Sequence, residues 1–116
     1  RHILSITQQR PTVDLSQFAR SHVANGYQKL PGGLIIQWGS YSEMGTPLTG
    51  EGSYTAPDQS YPVSFPNACL RLVGSSTFNY CIAQAVQKSL SQWTPRFSNS
   101  SSGSININIY YIAIGY

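Results

Sequence analysis

The 116-residue chain has four carboxylates, Asp14, Glu43, Glu51 and Asp58, two histidines, His2 and His22, and two cysteines, Cys69 and Cys81. Cleaving a glycosidic bond takes two carboxyl groups held rigidly a few ångströms apart. Asp14 reads as a helix cap, and the other three share one Gly-rich stretch, 43–60, so no rigid pair is expected. No Gly-rich phosphate loop, nucleophile elbow or Cys/His pair in a suitable setting accompanies them. Neither an enzyme nor a cofactor is expected. On a helix stripe of a trimer, His22 could bring three imidazoles onto the symmetry axis as a metal site. The plainer reading is a histidine at the edge of a packed helix, and no metal is expected; His2 lies in a poorly patterned terminus. The two cysteines lack metal-ligand spacing. A single bridge between neighbouring strands is geometrically open, and the plainer reading is two small half-buried thiols.

Aromatic and neutral polar groups are abundant instead. There are eight Tyr and two Trp, while charged residues make up only 9%. Sugars present an apolar ring face and a rim of hydroxyls, so their sites combine stacking rings with planar polar groups. Trp38 and the tyrosines of the last strand read as core or subunit interface, whereas Tyr41, Tyr54, Tyr61, Trp93 and Arg96 fall in or beside loops. A polar but nearly uncharged surface suits an extracellular or particle-borne β protein. The net charge of +3 comes from seven scattered Lys and Arg with no basic run, so nucleic-acid binding is not expected. No segment reaches membrane-spanning length and no signal peptide opens the chain, so no membrane insertion is expected. Arg1 in first position reads as the start of a fragment of something longer.

The elements that position these residues fall into two parts. In 1–26, Asp14 as N-cap, Gln17 in a capping box and Val13 stapled onto Phe18 start a helix, and Asn25-Gly26 stops it. This predicts a helix over 15–24 with Leu15, Phe18, Ala19, His22 and Val23 as its apolar stripe, too short to stand without packing on something. Beyond Gly26 the pattern is β. Leu34, Ile36 and Trp38 alternate with Ile35 and Gln37, and strands 62–65 and 68–73 meet at a Pro66-Asn67 corner. Segment 80–88 reads as a strand, although Ile82, Val86 and Leu90 also recur at helical spacing. A strand at 91–97 is placed near an edge by Pro95, and 43–60 and 98–104 read as loops. In the last strand, 104–116, Ile105, Ile107, Ile109 and Tyr111 share one face, with Asn106 and Asn108 on the other. From Tyr110 onward both faces are bulky and apolar, so a second layer or a neighbouring subunit must cover the second one.

The string GYQKLPGGLIIQWG at 26–39 resembles the opening of the C-terminal domain of bacteriophage tail fibres. YYIAIGY at 110–116 resembles that family's last strand and SFPNACLRLV at 64–73 its central strand pair, so the resemblance covers 26–116. It implies a trimeric β-sandwich at the fibre tip that contacts the host surface, commonly lipopolysaccharide or another glycan, in an architecture similar to H-type lectins. A three-fold partner would then cover the second face of the last strand. Stretch 43–60 departs from the shorter turn common in the family and is the first place to look for a binding site.

The expected molecule is an all-β antiparallel sandwich of about six strands with a short N-terminal helix, assembled as a homotrimer. Residues 1–26 would form the end of a fibre shaft or neck and 27–116 the tip domain. The expected function is receptor binding at the tip of a phage or phage-like tail fibre. A structural trimerisation cap and a free lectin are the alternatives, the latter separable by the sequence upstream of Arg1. The protein would be a virion component assembled in bacterial cytoplasm, where Cys69 and Cys81 stay thiols. If the chain enters proximally, strand parity sends 43–60, 75–79 and 98–104 to the distal end, and the Pro66-Asn67 corner and 89–91 to the proximal end. The candidate receptor residues are Tyr54, Asp58, Tyr61, Arg96 and Asn99, the tyrosines stacking and the polar groups binding hydroxyls or anionic substituents.

Overall fold

The computed structural model describes residues 18–48, 52–100, 103 and 105–116, with side chains 44–48 left aside. Among them are nine strands: β1 (Arg20–Ser21), β2 (Gly26–Lys29), β3 (Ile35–Leu48), β4 (Gly52–Thr55), β5 (Gln59–Ser60), β6 (Cys69–Ser75), β7 (Cys81–Gln87), β8 (Gln92–Asn99) and β9 (Ile105–Gly115). Sheet A runs β1-β2-β3-β9-β6; in sheet B, β8 pairs with β4 and β5 on one side and with β7 on the other. All pairings are antiparallel.

The period-2 pattern builds the core. Ile107, Ile109, Tyr111 and Ala113 of β9 point inward from sheet A and meet Trp93 and Phe97 of β8, all of them buried. Trp93 and Tyr111 pack with ring centroids 4.4 Å apart. Burying residues as large as these removes well over 100 Å² of apolar surface each from water, about 2 to 3 kcal/mol apiece. The β2–β3 hairpin closes through Leu30-Pro31-Gly32-Gly33, where Gly33 N–H donates to the Leu30 carbonyl at 3.2 Å. Gly32 has φ +94°, which a Pro-Gly pair at the turn centre supplies without strain.

The Pro66-Asn67 corner and the last residues of the chain interlock. Tyr116 accepts backbone bonds from Asn67 and Ala68 at 2.7 and 2.8 Å and donates one to Ala68 at 2.9 Å. A Cβ on Gly115 would lie 2.1 Å from the Ala68 carbonyl and 2.7 Å from the Phe65 ring, so only glycine fits there.

Four expectations are corrected. The described part of the 15–24 helix, residues 18–24, is not α-helical; residues 15–17 lie outside the described set. Arg20 and Ser21 instead pair with Gln28 and Tyr27, so residues 22–25 reverse a hairpin and Gly26 opens β2 rather than ending a helix. Residues 62–65 form no strand. Prolines 62 and 66 remove two donors, and the Val63 backbone is read by a buried side chain: Gln37 Nε2 donates to its carbonyl at 2.7 Å and Gln37 Oε1 accepts its N–H at 3.0 Å. Stretch 43–60 is mostly strand, comprising the end of β3 with β4 and β5. Finally, β8 is interior to sheet B despite Pro95. The Pro95 carbonyl accepts from Ala56 N–H at 3.0 Å, and its missing donor falls in the gap where the neighbour changes from β4 to β5.

The strand at 80–88 is observed as β7, and Cys69 and Cys81 are free thiols.

Candidate functional site

Alternation along β8 sends Trp93, Pro95, Phe97 and Asn99 inward and leaves Gln92, Thr94, Arg96 and Ser98 facing away from the core. Cross-strand partners in an antiparallel ladder share a face. Thr55 of β4 and Gln84 of β7 therefore flank Arg96, while Ser53 and Ile82 flank Ser98. These residues line a shallow groove of about 280 Å³ together with Tyr54 and Phe97. Ile82 is 61% exposed and supplies its apolar patch. The Arg96 guanidinium makes no hydrogen bond or ion pair among the described residues.

Five residues were singled out from the sequence, and the fold separates them. Arg96 stands at the centre of this groove. Tyr54 reaches it only from below, since it pairs with Phe97 and stacks inward on that ring at 6.5 Å and 17°. Contact with the Glu43 carboxylate, and then burial, hold the Tyr54 phenol above its ordinary pKa. Asp58 lies farther along β8, paired with Lys88 and accepting from Thr94 Oγ1 at 2.6 Å. The Lys88 contact first, then Thr94, lowers its pKa. Tyr61 is 5% exposed, with its ring edge-on to Phe65 and Tyr111 and its hydroxyl 3.7 Å from Cys69 Sγ. It is a core residue with no free ring face for a ligand, and burial raises its pKa. Asn99 is also buried and donates to the Gly103 carbonyl at 2.7 Å. The hydroxyl and amide groups around Arg96 went unnamed in the sequence, although Gln92-Trp93-Thr94-Pro95-Arg96-Phe97-Ser98-Asn99 alternates visibly.

The outer face of sheet A has the opposite character. Val73, Ile112 and Trp38 form one cross-strand row, and Ser75, Tyr110 and Ser40 the next. Val73, Tyr110 and Ile112 are 62, 53 and 50% exposed, and a shallow apolar groove runs between them. Asn108, farther along the same face, is buried beneath the 76–78 turn: its Oδ1 accepts from Ser76 Oγ and Thr77 N–H, and its Nδ2 donates to Thr77 Oγ1. His22 sits beside Trp38, 5.9 Å between ring centroids, and bonds Gln28 at 2.8 Å.

Strands β3 to β9, the corner locked by Gly115 and Tyr116, and the Leu30–Gly33 turn all fall within residues 29–116, and this stretch matches the gp53-like C-terminal domain of tail fiber proteins. The chain belongs to that family. Among solved structures, this tail fibre domain is similar to the N-truncated R1-type pyocin tail fiber, with a TM-score of 0.73, 25% identity, and 84% of each chain covered. A longer R1 pyocin fiber of P. aeruginosa matches with a TM-score of 0.72 and 25% identity over 84% of this chain, which spans 28% of that fiber. An R2-type pyocin tail fiber, 21% identical with a TM-score of 0.56, shares the fold. An uncharacterized protein of Methanocaldococcus jannaschii is 28% identical over 100 residues; they make up 79% of this chain, and the chain spans 63% of that relative.

Proposed function

We propose that this tail fibre domain binds a receptor on the bacterial surface, a glycan or lipopolysaccharide, as a homotrimer at the fibre tip. The observation that carries the reading is the contrast between two outer faces of one sandwich. An apolar face of Val73, Tyr110 and Ile112 has the character of a subunit contact. The opposite face, with hydroxyls, amides, a guanidinium and an exposed Ile82, has the groups that sugars engage.

The segment 1–26 would join the domain to the shaft, and the particle would be assembled in host cytoplasm, consistent with the two free thiols. Orientation follows from register. Lys29 N–H bonds the Ala19 carbonyl, so the chain comes in beside the 61–68 and 88–91 turns. The 76–80 turn and the Asn99 and Ile105 ends of β8 and β9 gather at the opposite end, which this reading makes distal, with the Arg96 groove on its flank.

The test is competition: purified chain should block particle adsorption to cells of the host strain, and purified surface polysaccharide should reverse the block. A second reading, a trimerisation cap with adhesion elsewhere on the fibre, draws on the apolar face alone. It is preferred if the chain forms trimers yet neither binds cells nor competes.

A further inference from the structure

Among the described residues, the exposed face of sheet B contains a guanidinium with no acidic partner. In a chain with four carboxylates, the Arg96 guanidinium sits on the central strand of its sheet, bracketed by Thr55 and Gln84 and, two residues away along β8, by Thr94 and Ser98. All four neighbours are neutral. Asp58, on the same side of β8, is already engaged by Lys88 and Thr94, and Glu43 lies beside Tyr41 and Tyr54 under the sheet. The five N–H donors of Arg96 therefore lack a described protein acceptor.

We propose that the Arg96 groove is the seat of an anionic substituent, a carboxylate or a phosphate, on the surface glycan; this rests on the receptor-binding reading above. The guanidinium fork matches either anion in bidentate fashion, which the point charge of a lysine does not. Ser53, Thr55, Gln84 and Ser98 bring donors and acceptors for the hydroxyls of the same sugar, and Ile82 offers an apolar surface to its ring face. A groove of about 280 Å³ along a flat sheet suits one unit of a longer polysaccharide better than an enclosed small molecule. A neutral sugar would need only the amide and hydroxyl groups; the unpaired cation among them is what selects for charge.

Two matched pairs of immobilised oligosaccharides test this: an oligogalacturonate with its carboxyl-reduced form, and a phosphorylated lipopolysaccharide core with its dephosphorylated form. The full chain should prefer at least one acidic member over its neutral counterpart by about tenfold at about 50 mM salt, and less as salt rises. The pair that discriminates tells carboxylate from phosphate. Arg96→Gln should abolish the preference and Arg96→Lys should restore part of it, both with an unchanged melting temperature. Lys88→Gln, a control for net charge, should leave the preference intact. Equal binding of acidic and neutral members, no binding to any of the four, an unaffected Arg96→Gln, or an equal loss in Lys88→Gln would each overturn the assignment. Cell adsorption of the same proteins separates the two levels. Wild type that adsorbs, with Arg96→Gln adsorbing equally, removes Arg96 and leaves attachment standing; wild type that does not adsorb removes attachment itself.

Discussion

The outer faces of the two sheets are built by the same alternation and end in opposite chemistry. On sheet A the outward positions of β6 and β9 include the apolar Val73, Tyr110 and Ile112, flanked by Arg71 and Ser75; on sheet B those of β8 are Gln92, Thr94, Arg96 and Ser98. Both faces surround one core, since the inward sets meet at Trp93 and Tyr111. Stability therefore lives between the sheets, and each outer face is free to serve a different partner. On the proposed receptor-binding reading, the domain would use both kinds of surface, one toward its own copies and one toward the receptor.

The largest test of this contrast is a charge on the apolar face. Ile112→Glu should convert a trimer, seen by light scattering of wild type at micromolar concentration, into a folded monomer. An unpaired carboxylate in an apolar contact costs several kcal/mol, on the order of a thousandfold in association. Ile82→Glu on the other face should leave assembly untouched. A wild-type monomer would remove the subunit contact altogether, and dissociation by Ile82→Glu and not Ile112→Glu would assign the faces the other way round.

Next comes a change between the faces. Gln37→Leu leaves the Val63 N–H and carbonyl buried without their partner, since Gln37 is fully buried and serves both. The loss should be about 3 kcal/mol in urea unfolding, in monomer and trimer alike. An effect confined to assembly would mean that the core and the apolar face are not separable.

How much of this the sequence disclosed depends on where partners lie. The strand at Ile105–Gly115 was legible because five isoleucines and their neighbours alternate over its length, and even its doubly apolar end is seen as an exposed outer face. Cys81–Gln87 was legible by the company of other strands. Stretch 43–60 was not: β4 reads Gly-Ser-Tyr-Thr, with one inward ring, and its hydrogen bonds go to a strand more than forty residues away in sequence. Asn25-Gly26 suits a helix stop and the end of a hairpin reversal equally, and only the pairing with β1 decides. Among site residues, Tyr61 looked like a loop aromatic because nothing local shows that 61–65 is drawn inward by Gln37. Arg96 was found for its type, and its outward setting follows from period 2 alone.

A smaller effect should come from the phenols packed between the sheets. Burial pushes Tyr111 up to about 12 and raises Tyr61, and burial with the neighbouring Glu43 raises Tyr41. Groups whose folded pKa is raised contribute stability that is present below the unfolded value near 10 and lost as pH rises beyond it. The melting temperature should thus fall above about pH 10, and ultraviolet absorbance should show these phenols ionising together with unfolding. If they ionise smoothly in folded protein, the interior between the two faces is open to water.

The smallest expected effect is at Asp58, on the sheet B side near Lys88. Its folded pKa is lowered, by the Lys88 contact foremost and then by Thr94. A depressed carboxylate contributes stability present above its unfolded value, near 4, and lost as pH falls through the folded one. Wild type should therefore lose a little melting temperature below about pH 4 that Asp58→Asn does not lose, and the gap should narrow in high salt because the pair is exposed. Lys88→Met removes the first cause and keeps the second, so its acid loss should fall between the two. A drop in Asp58→Asn as steep as that of wild type would place the acid sensitivity elsewhere, and the Asp58–Lys88 pair would then be a surface contact that positions nothing. A drop absent from both Asp58→Asn and Lys88→Met would show that Lys88 alone governs it, leaving the Thr94 hydroxyl free to face the groove beside Arg96.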